Sequence, residues 1–146
     1  MILPTIYLCS MHGMKEIFHI WKQQSNCEAT LGGVPLRLRI LVSPEEQQKG
    51  FMFEPEPDDG FGLFFIYPHP KESGFWMRNV PFDLDLIPLD EDMRVMGVRR
   101  LLANDERTCK IRRPCRYVLE LTSGWCERNG IKIGDKLIID AGYDER

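Results

Sequence analysis

The polar residues best suited to chemistry lie in one run, from Phe75 to Leu86, which mixes large apolar side chains with charged and amide groups. Its polar members are Arg78, Asn79, Asp83 and Asp85. One carboxylate could act as a general base while the guanidinium of Arg78 holds an anionic group. The same residues could instead form a buried, salt-bridged network that fixes the strand register. We favour the network, with Arg78 more than half buried and paired with Asp83, Asp85 or Glu120.

Two apolar neighbours, Trp76 and Met77, are expected to lie in the core, with the Trp76 indole N–H bonded to one partner. Glu120 joins the candidate set because it shares a predicted strand with Tyr117 and Leu119. The candidate ligand- or partner-binding residues are Trp76, Arg78, Asn79, Asp83, Asp85 and Glu120. No residue is assigned a catalytic role, since the sequence supplies no standard nucleophile and no glycine-rich phosphate loop.

The histidines and cysteines do not have the spacing of metal ligands. His12, His19 and His69 are scattered, and the gap between Cys109 and Cys115 is wider than that of a Cys-x-x-Cys zinc site. The five cysteines are odd in number and irregularly spaced, which argues against a fully paired disulfide framework. We therefore expect neither a metal nor a cofactor.

The net charge of −3 conceals a strong asymmetry along the chain. Between Pro44 and Asp92 twelve acidic residues face three basic ones, whereas between Arg99 and Arg116 seven basic residues face two acidic ones. The basic stretch lacks the interleaved aromatic residues of a single-strand-binding surface, and a solvated loop explains it equally well. Nucleic-acid binding is therefore expected to be weak and non-specific at physiological salt.

Composition indicates one soluble domain, because 43% hydrophobic and 28% charged residues among 146 are ordinary globular values. No apolar stretch is long enough to span a bilayer, and the first residues lack the features of a signal peptide. We expect no membrane association and a cytoplasmic location, or a virion location if the protein is phage-borne. The predicted division is an atypical N-terminal segment at 1–30, a barrel-like domain at 31–142 and a tail at 143–146.

Hydrophobic periodicity predicts many short strands and two short helices. The predicted strands are Val34–Val42, Gly62–Tyr67, Asp83–Leu89, Met93–Leu102, Arg116–Leu121 and Lys136–Asp140, with helices at Ser43–Gly50 and Ser123–Asn129. Gly32 and Gly33 signal a hairpin turn, while 68–74 and 103–115 are predicted to be a turn and a long polar loop. Without a long crossover helix, the pattern favours a mostly β (α+β) fold, a small rolled antiparallel β-barrel.

Several of these segments together resemble a known family over about the last three quarters of the chain. The carrying motifs are EQQKGFMF at 46–53, the run at 62–67, FWMRNVPFDLD at 75–85, YVLELTSGW at 117–125 and GIKIGD at 130–135. Their order is similar to that of the domain of unknown function 192. The resemblance implies a compact, strand-dominated α+β domain of bacteria, archaea and some bacteriophages, without an established activity or cofactor. The chain departs from the family pattern at Phe51 and at Val80, where a leucine and a threonine are usual.

Three hypotheses for function follow. The first is a small non-catalytic module that binds a small polar ligand or a protein partner at the edge formed by Trp76, Arg78, Asn79 and Asp83. The second is a structural or accessory protein, such as a phage virion component, that assembles by adding its N-terminal segment to the sheet of a neighbouring subunit. The third is a hydrolase that uses the carboxylate cluster.

Overall fold

The computed structural model of the protein describes residues 26–140. The strands are β1 (Asn26–Leu31), β2 (Val34–Leu41), β3 (Phe61–Phe75), β4 (Leu84–Leu89), β5 (Arg99–Leu101), β6 (Cys109–Thr122) and β7 (Leu137–Asp140), and the helices are α1 (Pro44–Lys49) and α2 (Trp125–Arg128). The predicted tail and most of the predicted N-terminal segment lie outside the described residues. Neither helix of the described part is long and apolar enough to cross a membrane.

The strands form one curled seven-stranded sheet in the order β5-β4-β6-β3-β2-β1-β7. The mostly β prediction is confirmed, but the sheet does not close into the predicted barrel. The edge strands β5 and β7 are three and four residues long. The isolated bridges Leu89–Val95 and Arg94–Lys136 connect the two sides of the sheet in place of a continuous ladder of hydrogen bonds. Among the described pairings β2 and β3 alone run parallel, and α1 with the loop 50–60 forms the crossover that a parallel pair requires.

Two local predictions are confirmed in detail. The β1–β2 hairpin turns through Gly32 and Gly33, whose φ angles of 57° and 81° match the left-handed pair that a tight primed turn requires. Helix α1 begins after Ser43, whose side-chain oxygen accepts a hydrogen bond from the Glu46 N–H at 3.2 Å. Helix α1 gives way at Gly50, which has a φ of 47° and sits where a stop signal was predicted.

The longest strands, β3 and β6, extend well beyond their predicted bounds. The predicted turn at 68–74 belongs to β3, and β6 begins at Cys109, within the predicted loop at 103–115. Lys71 pairs with Cys115 and Phe75 with Cys109, with register shifts between the regular stretches. The sequence suggested turns because prolines occur in both segments, and these prolines are tolerated at the irregular positions of the ladder.

The sheet buries apolar side chains on both of its faces. Alternate residues of β3 divide between two clusters: Phe64 and Ile66 lie in one, Phe65 and Tyr67 in the other. Successive residues of a strand point to opposite faces, so a strand covered on both sides reads as a continuous apolar run. The same alternation in β6 places Glu120 on the face of its second neighbour Val118, which belongs to the cluster beneath α1.

Candidate functional site

A cavity of about 350 Å³ lies between α1 and the central strands β3 and β6. Its polar lining comprises Gln47, Gln48, Lys49, Tyr67, Lys71, Trp76 and Glu120, and its apolar lining includes Phe51, Met52, Phe65, Phe75, Met77, Val80 and Leu84. Small-molecule sites have volumes of roughly 300–1,000 Å³ and a mainly apolar wall with a few polar groups. The cavity therefore has the size of a site for a small organic molecule, and its lining is about equally polar and apolar.

Helix α1 is fixed over the sheet by a glutamine that bonds to two strands. The side-chain amide nitrogen of Gln47 donates to the carbonyl of Leu41 at 3.0 Å and to the carbonyl of Ile66 at 2.9 Å. At the end of the helix, a Cβ built on Gly50 would lie 3.8 Å from Oε2 of Glu120. The backbone at Gly50 thus forms part of the cavity wall beside the Glu120 carboxyl group.

The floor of the cavity carries the carboxyl group of Glu120, a residue that is 5% exposed as a whole. No hydrogen bond or ion pair reaches this group from the residues at 26–140. Burial raises the pKa of Glu120 from 4.5 to about 8, because the charged form loses its hydration. At neutral pH the group is therefore mainly a carboxylic acid, with one O–H donor and one carbonyl acceptor facing the cavity.

Aromatic and basic side chains surround the remainder of the cavity. Burial raises the pKa of Tyr67 to about 12, with a smaller contribution from the negative charge of Glu120. The ammonium of Lys71, on an exposed side chain, lies 4.7 Å from the centroid of the Tyr67 ring. Trp76 is 39% exposed rather than buried, so the prediction that it belongs to the core is wrong. It lies just after the end of β3, and its side chain is partly open to solvent.

The two aspartates of the signature bond to the backbone and do not face the cavity. Oδ2 of Asp85 accepts hydrogen bonds from the N–H groups of Gly124 at 3.1 Å and Cys126 at 3.4 Å. Asp85 therefore caps the start of α2 from a neighbouring strand. Oδ1 of Asp83 accepts a hydrogen bond from the N–H of Ala103 at 2.8 Å. Both carboxylates stabilise connections of the chain.

The predicted burial of Arg78 and its pairing with Asp83, Asp85 or Glu120 are wrong. Its side chain is 53% exposed, and its partners are Glu106, at 3.4 Å, and the Trp76 ring, whose centroid lies 5.4 Å from the guanidinium carbon. The strand period cannot be extended to this residue because β3 ends at Phe75. Asn79, also exposed, follows with a φ of 58°, which turns the chain. Of the six candidate residues, Trp76 and Glu120 line the cavity, and the other four lie outside its lining.

Because Arg78 is exposed, Arg78→Ala is expected to lower the free energy of unfolding by less than about 1 kcal/mol. A buried pair would have cost roughly 3–5 kcal/mol when broken. Urea denaturation monitored by circular dichroism measures the difference, and Glu106→Ala provides the matched control from the other side of the ion pair. A loss of 3 kcal/mol or more in Arg78→Ala would contradict the exposed position.

Five polar residues of the cavity lining were not among the candidates: Gln47, Gln48, Lys49, Tyr67 and Lys71. Lys71 was placed in a turn, and Tyr67 at the end of a purely apolar strand. For Gln47 a signal was available, since an amide in a short helix that follows a buried strand can bond to the strand's carbonyl groups. Its tertiary partner Ile66 is nineteen residues away and could not be predicted locally.

The cysteines do not add a second reactive centre to the cavity. Cys27, Cys109, Cys115 and Cys126 are free thiols. Burial is the main cause that raises the thiol pKa of Cys27 and Cys126, to about 12 in each case. Within the described ranges no cluster of three or more histidine, cysteine, aspartate or glutamate side chains is arranged to hold a metal ion.

The curled sheet and its cavity define a compact, mostly β domain with a pocket of small-molecule size between a short helix and the sheet. The model of the DUF192 family, described as an uncharacterized ACR, matches residues 27–139. The chain therefore belongs to the DUF192 family, as its motifs predicted.

Solved structures share this fold. A protein of unknown function from Novosphingobium aromaticivorans DSM 12444 is 35% identical, with a TM-score of 0.71, and the match covers 75% of this chain and 82% of that one. A candidate transcription regulator from Sinorhizobium meliloti 1021 is 24% identical, with a TM-score of 0.75, over 78% of this chain and 93% of the other. The second likeness concerns the fold alone. No curated protein matches the chain significantly.

Proposed function

We propose that the protein is a small-molecule-binding module whose site is the cavity beneath α1, with Trp76 at its mouth and Glu120 at its floor. The observation that carries the proposal is the Glu120 carboxyl group, which is buried, faces the cavity and receives no hydrogen bond from the described residues. Buried polar groups in folded proteins nearly always have a partner. The Glu120 oxygens are not among the buried polar atoms that lack both a partner and contact with solvent, so they are open to the cavity. A ligand that fills the cavity would bond to them in place of water.

The contrast with Asp85 supports a binding role for Glu120. Both carboxyl groups are buried, yet Asp85 accepts two backbone hydrogen bonds, as a structural carboxylate should. Glu120 makes no comparable contact, and its burial without a partner reduces the stability of the fold. Groups that are retained at such a cost are concentrated at functional sites.

The other two hypotheses receive less support. The hydrolase hypothesis relied on a cluster of carboxylates, but Glu120 is the one carboxylate among the described residues that line the cavity. Assembly through the N-terminal segment depends on residues outside the described part and stays a hypothesis. The sequence predicted a binding edge formed by Trp76, Arg78, Asn79 and Asp83. Of these four residues, Trp76 alone lines the cavity, so the proposed site is the cavity and does not include the other three.

Binding to this cavity can be tested by the indole N–H signals in a ¹H–¹⁵N spectrum, with the Trp76 signal assigned by Trp76→Phe. Fragments that bind are expected to shift the Trp76 signal and the side-chain amide signal of Gln47. The buried Trp125 provides an internal control, because it belongs to the opposite cluster. Arg128→Ala, which removes a side chain that pairs with Asp59 outside the cavity lining, should leave fragment affinities unchanged. A fragment collection that leaves both signals in place would refute the proposed site.

A further inference from the structure

We infer that the cavity takes a small organic monocarboxylate with an apolar body, whose carboxylate accepts a hydrogen bond from the carboxylic acid of Glu120. This inference rests on the proposed function and names its ligand class. Three features of the cavity support it: its apolar walls, the sign of the charge at its mouth, and the protonation state of its floor.

The walls next to Glu120 are aromatic and aliphatic. Phe51, Phe65 and Phe75 line the cavity, and the rings of Phe65 and Phe75 pack edge to face with centroids 5.2 Å apart. Met77 and Val80 continue the same wall. This wall favours contact with a hydrocarbon or an aromatic ring, while the polar part of the lining remains available for a polar head group.

The charged and titratable groups that line the cavity are Lys49, Tyr67, Lys71 and Glu120. The ammonium of Lys49 already pairs with Glu54 at 3.2 Å. Lys71 makes no ion pair with a carboxylate among residues 26–140, and its recorded contact is the Tyr67 ring. A positive charge without an acidic partner at the mouth attracts an anion and repels an amine.

The protonation state of the Glu120 carboxyl group decides whether it can donate a hydrogen bond to the ligand's carboxylate. Burial raises the pKa of Glu120 to about 8, so at neutral pH the group is mainly protonated and can donate its O–H to a ligand carboxylate. A hydrogen bond from a carboxylic acid to a carboxylate is charge-assisted and short. Above pH 8 the ionised Glu120 would repel the same ligand, while Tyr67, with its pKa raised to about 12, stays neutral through this range.

The test compares two probes of matched size, phenylacetate and phenethylamine, titrated into the full-length protein and followed by the Trp76 indole signal. We expect phenylacetate to bind at pH 6.5 in preference to phenethylamine. Between pH 6.5 and 9.5 its affinity should fall about thirtyfold, the factor by which the neutral fraction of Glu120 decreases. Circular dichroism at both pH values ensures that the folded protein is compared.

Two variants separate the role of Glu120 at the floor of the cavity from that of Lys71 at its mouth. Glu120→Gln keeps a neutral donor, so phenylacetate should still bind to it, with an affinity that changes less than threefold between the two pH values. Lys71→Met should weaken phenylacetate at both pH values and leave the wild-type pH dependence in place. A pH dependence that persists in Glu120→Gln would overturn the inference.

The failure of this inference differs from the failure of the proposed function. If phenethylamine binds more tightly than phenylacetate, or if uncharged fragments alone shift the Trp76 signal, the ligand class is wrong while the cavity remains a binding site. If neither probe nor any fragment shifts that signal, the proposed function fails together with the inference.

Discussion

Glu120→Gln is expected to make the folded protein more stable than the wild type, by a margin that grows with pH. The pKa of Glu120 is raised from 4.5 to about 8 by burial, so the folded state retains a proton that the unfolded state releases. The wild type is therefore most stable below pH 4.5 with respect to this group and loses stability as pH rises from 4.5 to 8. Glutamine has nearly the same shape and does not titrate, so it avoids this loss.

The size of the effect follows from proton linkage. Each pH unit between the two pKa values changes the free energy of unfolding by about 1.4 kcal/mol. Glu120→Gln should raise the free energy of unfolding by at most roughly 3 kcal/mol at pH 7 and roughly 5 kcal/mol at pH 9. At pH 4 the two proteins should have nearly the same free energy of unfolding. A variant that is more stable but has lost the pH dependence of ligand binding would be typical of a residue kept for function.

Urea denaturation of the wild type and Glu120→Gln at pH 4, 7 and 9 measures this margin. The exposed Glu106 provides the control, since Glu106→Gln should follow the wild-type pH dependence closely. Because other groups titrate equally in both proteins, the difference between the two curves isolates Glu120. If the free energies of unfolding of Glu120→Gln and the wild type differ by the same amount at all three pH values, Glu120 does not have the raised pKa.

The second large effect is expected at Asp85, with the opposite sign. Asp85→Ala removes the acceptor of the Gly124 and Cys126 N–H groups and leaves both donors without their partner at the start of α2. Leaving buried donors unsatisfied costs about 1–3 kcal/mol each, so we expect a loss of about 2–5 kcal/mol. Asp85→Asn, which retains one oxygen acceptor in a similar position, should lose less than half as much.

The loss at Asp85 should be accompanied by local loosening of α2. Trp125 and Cys126 are buried in this helix, and burial raises the pKa of the Cys126 thiol to about 12, with Asp85 adding to the effect. In Asp85→Ala the thiol of Cys126 should react faster with an alkylating reagent under native conditions, as measured by mass spectrometry of the modified peptide. An unchanged urea midpoint together with an unchanged modification rate would exclude the capping role.

Local elements of the fold could be predicted because their signals lie within a few residues. The helix that follows Ser43 carries its cap, its proline and its glycine stop in eight consecutive positions, and the Gly32–Gly33 turn is equally local. Strands β3 and β6 could not be bounded in the same way. Their outer halves pair through irregular registers between residues forty or so positions apart, which no local pattern records.

The candidate site, like the fold, could be predicted from the sequence only in part. Glu120 was included as a possible partner of Arg78 on the strand that carries Tyr117 and Leu119, and Trp76 was included as part of the run that contains Arg78. The error at Arg78 came from placing Trp76 and Met77 on a strand that would bury Arg78. The strand ends at Phe75, and the chain turns at Asn79. The roles of Tyr67 and Lys71 depend on the position of α1, which is set by the long-range hydrogen bond from Gln47 to Ile66.

The central claim is that Glu120 is a neutral acid at the floor of a ligand cavity, and the most direct test is its own titration. ¹³C NMR of the glutamate side-chain carboxyl carbons between pH 3 and pH 10 measures the ionisation of each group, and the Glu120 signal is the one missing from Glu120→Gln. The account predicts that this carbon titrates with a pKa of about 8. A Glu120 signal that titrates near the ordinary value of 4.5 would contradict it, because the group would then be a hydrated carboxylate at neutral pH.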